Sequence, residues 1–104
     1  MRKILLIVAG TILLALPASA GDKNEVTIDN FSFLPQTLTV PAGTTVTWIN
    51  RDDVPHTIVT ADKKTVVSPA LDTDETFSFK FTAVGTNDYF CSVHPHMKGK
   101  IIVQ

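Results

Sequence analysis

The sequence predicts an all-β domain, and three observations carry that prediction. Short stretches alternate apolar and polar residues with a period of two, most clearly Phe77-Ser78-Phe79-Lys80-Phe81. Turn signals such as Pro41-Ala42-Gly43 separate these stretches. Beyond an N-terminal apolar run, no segment has helical periodicity. Short strands punctuated by turns favour a sandwich or barrel over parallel βαβ units.

The chain begins differently. Arg2 and Lys3 precede Ile4 to Leu16, an uncharged and mostly apolar run of thirteen residues. Pro17 and the small-residue pattern Ala18-Ser19-Ala20 follow. This is the layout of a cleavable secretory signal peptide. The run is shorter than the ~20 residues that span a bilayer, which disfavours the rival reading of a retained anchor. Residues 1–20 are therefore expected to be a leader and 21–104 the working domain. The expected location is the periplasm or another exported compartment. Membrane contact would come only through a leader left uncleaved.

Within the domain, Val26-Thr27-Ile28 alternates, and Phe31 and Phe33 continue in a shifted phase. Leu38-Thr39-Val40 is a second short strand. Thr45-Val46-Thr47-Trp48 alternates again and runs on through Ile49. Thr57-Ile58-Val59-Thr60 is β-branched, and Thr65-Val66-Val67 reads as a short edge strand. Phe77, Phe79 and Phe81 face a core while Ser78 and Lys80 face water. Asn87 to Cys91 and Lys100 to Val103 complete the series. Val46 and Trp48 share a phase and read as core. Asp62-Lys63-Lys64 and Asp72-Thr73-Asp74-Glu75 read as solvated turns.

Composition narrows the function. Of 104 residues, 9 are basic and 10 acidic. Without Arg2 and Lys3 the net charge is about −3. A nucleic-acid binder needs a basic patch, so that class is disfavoured. A domain this small often needs a staple. Cys91 is the one cysteine, so an internal disulfide is impossible. A lone thiol in an oxidising compartment is a liability unless it is buried or occupied. A bound metal would occupy it and staple the fold.

The chemistry is concentrated in Tyr89-Phe90-Cys91-Ser92-Val93-His94-Pro95-His96-Met97-Lys98-Gly99-Lys100. Cys91, His94 and Met97 are spaced three apart, so one curl of a loop turns all three inward. Pro95 stiffens the middle of that loop, and Gly99 is expected to free the backbone to leave it. Thiolate and thioether are soft ligands and imidazole is borderline. Two His, one Cys and a weak axial Met form the electron-transfer copper set. The second histidine must come from elsewhere. His56, in Pro55-His56-Thr57-Ile58, enters a β-branched strand that can neighbour the Cys91 strand. The predicted site is thus His56, Cys91, His94 and Met97 around one copper ion. His96 lies between two inward-facing ligands and is expected to face out at the rim.

These residues also resemble a known family. Phe31-Ser32-Phe33-Leu34-Pro35, Pro41-Ala42-Gly43, Val46-Thr47-Trp48-Ile49-Asn50, Pro55-His56, Gly85 to Cys91 and His94 to Gly99 are similar to the cupredoxins, the type 1 blue-copper family. The likeness spans nearly all of the domain. The short Cys-x2-His-x2-Met loop most resembles the amicyanin branch, with plastocyanins and pseudoazurins as relatives. The resemblance implies an eight-stranded Greek-key β-sandwich with copper at one end, cycling between Cu(I) and Cu(II). It implies a monomeric electron carrier in which the His94 ring edge passes the electron. A dehydrogenase or a c-type cytochrome is the redox partner it implies. Thr57 stands where those relatives have Asn, Val93 where amicyanin has Pro, and His96 where it has Phe.

Two rival functions follow from the same residues. An enzyme would keep an open metal position for water or substrate, and four protein ligands leave none. No catalytic residues are therefore assigned and the chain is not read as an enzyme. A copper delivery or storage protein is the stronger rival. Delivery sites use exposed, exchangeable ligands for Cu(I) rather than a buried thiolate.

Overall fold

A computed structural model describes residues 24–104. The expected leader over 1–20 lies outside the described residues. Among the described residues eight strands form: β1 (Glu25–Asp29), β2 (Ser32–Leu34), β3 (Thr37–Val40), β4 (Thr44–Asn50), β5 (Val59–Thr60), β6 (Thr76–Phe81), β7 (Gly85–Phe90) and β8 (Lys98–Val103). They make two four-stranded sheets, in the orders β2-β1-β4-β6 and β3-β8-β7-β5. This is the all-β, eight-stranded, two-sheet sandwich expected above.

Two neighbouring pairs are parallel, β1 with β4 and β3 with β8. Parallel neighbours need a long crossover rather than a hairpin. Here the chain makes that crossover by passing through the opposite sheet, so no helix is required. The remaining pairs, β1–β2, β4–β6, β5–β7 and β7–β8, are antiparallel.

The alternating residues fill the space between the sheets. Val26, Ile28, Val46, Trp48 and Ile101 are fully buried, and Phe33, Phe81 and Tyr89 nearly so. Trp48 lies at the centre, packed against Phe77, Phe81 and Tyr89. Phe77 and Phe79 are half-buried at the sheet edge, and Phe81 is buried. Outside, Thr47 and Ser78 share a 2.8 Å hydroxyl hydrogen bond across β4 and β6. The phase assignments for Val46, Trp48 and the three phenylalanines therefore hold.

Three local expectations change. First, the Phe31–Phe33 phase shift is a turn: Asn30 and Phe31 adopt left-handed φ of 52° and 57°. The turn folds β2 back on β1, leaving Phe33 buried opposite Ile28 and Phe31 exposed. Second, the β-branched run forms a strand only over Val59–Thr60. His56 makes an isolated bridge to Leu71, and Thr57 and Ile58 point their amides at the side chains of Cys91 and Ser68. Third, the edge strand around Thr65–Val67 is reduced to one bridge, Val59 to Val67. The Thr60–Val66 turn is held instead by Asp62, which accepts from Thr60, Lys64 and Thr65.

The fold brings two separated segments to one end of the sandwich. β5 pairs with the end of β7, with Val59 opposite Phe90. That places His56, just before β5, beside Cys91, just after β7.

Candidate metal centre

Cys91 leaves β7 at full burial, and the loop after it closes on itself. The Met97 amide donates to the His94 carbonyl at 2.9 Å, and the Cys91 amide to the Met97 carbonyl at 3.1 Å. This is the single curl expected from the spacing of three. Met97 is buried, His94 half-buried, and His96 exposed between them.

Gly99 serves a different purpose from the one its sequence position suggested. It lies within β8 opposite Tyr89, and a Cβ there would overlap the Tyr89 ring. What selects glycine is the close approach of that ring to the strand, rather than backbone freedom at the loop exit.

His56 is fixed by a second set of bonds. Its amide donates to the Leu71 carbonyl at 3.1 Å, and the Leu71 amide returns a 2.8 Å bond to the His56 carbonyl. Buried Asn50 ties the preceding loop down, donating from Nδ2 to the carbonyls of Val54 and Leu71, both at 2.9 Å. The Asp52 amide donates to Asn50 Oδ1 at 2.9 Å. The buried Asp52 carboxylate in turn meets His56 Nε2 at 2.8 Å.

With Nε2 so occupied, His56 presents Nδ1 to the thiol, 3.7 Å from Cys91 Sγ. His94 Nδ1 stands 3.8 Å from the same sulfur. One donor atom each from His56, Cys91 and His94 lies within 4.8 Å of the others. The structure thus brings three of the four predicted residues together around one point. The fourth, Met97, is buried on the same loop.

The sulfur environment favours a thiolate. Burial pushes the Cys91 thiol up, but the Thr57 amide and the two imidazoles outweigh it, and the net effect lowers it to about 6. The Thr57 amide is 3.4 Å from Sγ and its hydroxyl 3.8 Å. That hydroxyl also accepts from the Ser92 amide at 2.8 Å and shares a 2.8 Å bond with the Ser92 hydroxyl. Thr57 therefore joins the two ligand-bearing segments. Asp52 is shifted down as well. Burial raises it, but the Phe31 amide, His56 and the Asn30 amide outweigh that cost.

Four residues escaped the sequence reading: Asn50, Asp52, Ser92 and, as a site residue, Phe31. The Phe31 ring stands edge-on to His56 at 5.5 Å and to His94 at 5.0 Å. An aspartate four residues before a candidate histidine ligand is a signal that would have drawn attention to Asp52.

The donor set suits copper. One low-lying thiolate and two imidazoles form a soft, compact site, and a buried thioether is adjacent. Zinc has little use for a thioether, and magnesium or calcium would need oxygen donors.

Comparison with known proteins agrees. A family model described as a cupredoxin-like domain matches residues 3–103. The curated relatives that match include amicyanins and plastocyanins. Amicyanin-alpha of Methylorubrum extorquens is 38% identical over 100 residues, covering 92% of this chain and 83% of its own. The solved structure of a point mutant of amicyanin, in its oxidised state, superposes with a TM-score of 0.74 at 34% identity. It covers 84% of this chain and 88% of that one. A Cu-containing nitrite reductase from Thermus scotoductus matches with a TM-score of 0.72 and 35% identity. That match covers 77% of this chain but only 22% of the reductase.

Proposed function

The chain belongs to the cupredoxin-like family, and from that premise we propose that it is an exported blue-copper electron carrier, binding one copper ion through His56, Cys91, His94 and Met97. One observation carries the reading. Two imidazole Nδ1 atoms from separate segments converge at 3.7 and 3.8 Å on a buried thiol already poised to ionise. When bound, copper supplies a one-electron change between Cu(I) and Cu(II).

The chain's own residues supply the rest. Hydrogen bonds with Asp52 and Leu71 hold His56, and the Thr57 amide holds the Cys91 sulfur. A site that moves little on oxidation presents a low barrier to transfer. How much of the copper geometry a protein imposes is debated for such centres. Burial of Cys91, His56 and Met97 keeps water away. His94, the half-buried donor, is the ligand that reaches the surface and the exit for the electron.

Around His94 the surface is apolar. Val93 is 55% exposed and Phe31 44%, and Pro55 and Pro95 are exposed beside them. Such a rim lets a redox protein dock close to His94 through the small, weak contact that rapid turnover needs. Lys98 is exposed at its edge and suits an acidic partner. The Arg2–Ala20 pattern supports export.

The test is copper loading of the purified protein. Cu(II) is expected to give an intense thiolate-to-copper band in the visible, and Cys91→Ser to abolish it. A colourless protein that takes up Cu(I) and yields it to a chelator would point to delivery instead. A catalytic reading finds less support. The Thermus match covers a minor part of that enzyme, and the donors here leave no position open for a substrate.

A further inference from the structure

A sandwich of two open sheets has four edge strands, and each offers backbone groups to any chain that can pair with it. Three of the edges here are blunted. β2 has three residues and runs into Pro35, and β3 has four and runs into Pro41. β5 has two and is bridged by Val67. The fourth edge, β6, is different. It has six residues, contains neither proline nor glycine, and pairs with β4 on one side only.

The ladder fixes which groups β6 leaves free. The Asn50 amide donates to the Glu75 carbonyl at 3.1 Å, and the Gly43 amide to the Phe81 carbonyl at 2.7 Å. Bonded and non-bonded residues alternate along an antiparallel pair. Phe77, Phe79 and Phe81 therefore turn their N–H and C=O groups to β4, while Thr76, Ser78 and Lys80 turn theirs outward. Among the described residues no hydrogen bond takes those outward groups. Side chains alternate too. Thr76, Ser78 and Lys80 are exposed on the outer face, and Phe77 and Phe79 are half-buried on the inner one.

The partner that fits this edge is a second copy of it. With two β6 strands antiparallel and Ser78 opposite Ser78, the outward groups of Thr76 meet those of Lys80 in the other chain. Phe77 then falls opposite Phe79, twice, on the inner face, and aromatic cross-strand pairs are favourable. Lys80 points toward the acidic run Asp72-Thr73-Asp74-Glu75 that leads into the other β6. Asp74 already meets Arg51, which leaves Asp72 and Glu75 as surplus negative charge there. Parallel pairing would instead set lysine beside lysine and one acidic run beside the other, and like charges across strands are unfavourable. Hydrogen bonding, aromatic pairing and charge select the same arrangement.

We propose that the chain self-associates through β6, two copies pairing edge to edge so that their four-stranded sheets join into one of eight strands. This departs from the monomer that the resemblance implies. β6 starts beside the metal centre, since Glu75 bonds Asn50 and Asn50 braces the loop before His56. Antiparallel pairing therefore sends the two metal centres to opposite ends of the dimer and leaves both His94 rims open. The contact is one strand wide, so it belongs with small, weak interfaces. The pairing does not require copper.

Sedimentation of the purified protein at rising concentration, into the millimolar range, should show the apparent mass climb from one chain to two. Ser78→Pro removes an outward amide without touching the β4 ladder, and proline is tolerated on an edge strand. It should abolish the rise. Ser78→Lys sets two lysines against each other at the two-fold axis, should act likewise, and serves where the proline variant does not fold. NMR on a mixture of differently labelled wild-type chains tests the register without any variant. A nuclear Overhauser contact between the Hα atoms of Phe77 in one chain and Phe79 in the other is expected. A protein that stays monomeric throughout, a dimer without that contact, or dimerisation that survives in the folded variants would overturn the proposal. So would a contact from residues 1–23 to Ser78 within one chain, since the edge would then be covered by the chain's own N-terminal segment.

Discussion

At the scale of single residues, function is set by which way a few side chains face. His94 and His96 are two positions apart on the ligand loop. His94 turns toward Cys91 Sγ and His96 toward solvent. The alternation follows from the curl, in which positions three apart share a side. His96→Ala should therefore leave the visible band and the reduction potential of the copper-loaded protein nearly unchanged. Loss of the band in that variant would place His96 among the ligands. Thr57, at a position where the resemblance implies Asn, reaches both Ser92 and the thiol with its hydroxyl and amide. A β-branched alcohol at the mouth of a strand can do this because its hydroxyl lies close to the backbone.

At the scale of elements, the site depends on strands that meet without spare room. β7 and β8 pair from Gly85–Val103 to Phe90–Lys98, and this ladder sets where the ligand loop begins and ends. Tyr89 packs closely against Gly99 near the loop end of that ladder, and its ring meets Trp48 and Phe33 in edge contacts. Adding a methyl group at Gly99 forces the ring or the strand to move. Gly99→Ala is expected to cost about 1–3 kcal/mol, the usual range for overpacking. Urea denaturation of the copper-free protein would measure it, and a neutral result would mean the ring relocates freely. The β-branched run forms a shorter strand than its side chains predict for a related reason. Thr57 and Ile58 have strand-like side chains, but their amides are taken by a sulfur and a serine hydroxyl, and no propensity reports such a capture.

At the scale of the whole molecule, the donors join segments far apart in the chain. His56 precedes β5, while Cys91, His94 and Met97 lie between β7 and β8. Some 35 residues separate His56 from Cys91. A metal bound across that gap stabilises the folded chain by linkage, about 2.7 kcal/mol when free metal is 100 times its dissociation constant. Removing copper should therefore lower the thermal midpoint, and restoring it should recover the loss. Equal midpoints for the two forms would show that copper is held by a site already present in the unfolded chain, or not held at all. In a small domain without a disulfide such a link is a substantial share of the total, since net stabilities are typically only 5–15 kcal/mol.

The all-β class, the core phase of Val46, Trp48 and Phe81, and four candidate donors are legible in the order of the residues. Those are local matters: a period of two, a spacing of three, and the chemistry of a soft donor set. That His56 presents Nδ1, that Asp52 and Phe31 belong to the site, and that Gly99 answers to Tyr89 emerge from the packed fold. Each of those depends on residues brought together from distant parts of the chain, Asp52 with Asn30 and Phe31, Thr57 with Ser92, Gly99 with Tyr89. Such meetings follow from sheet pairing and loop packing, which a linear pattern does not contain.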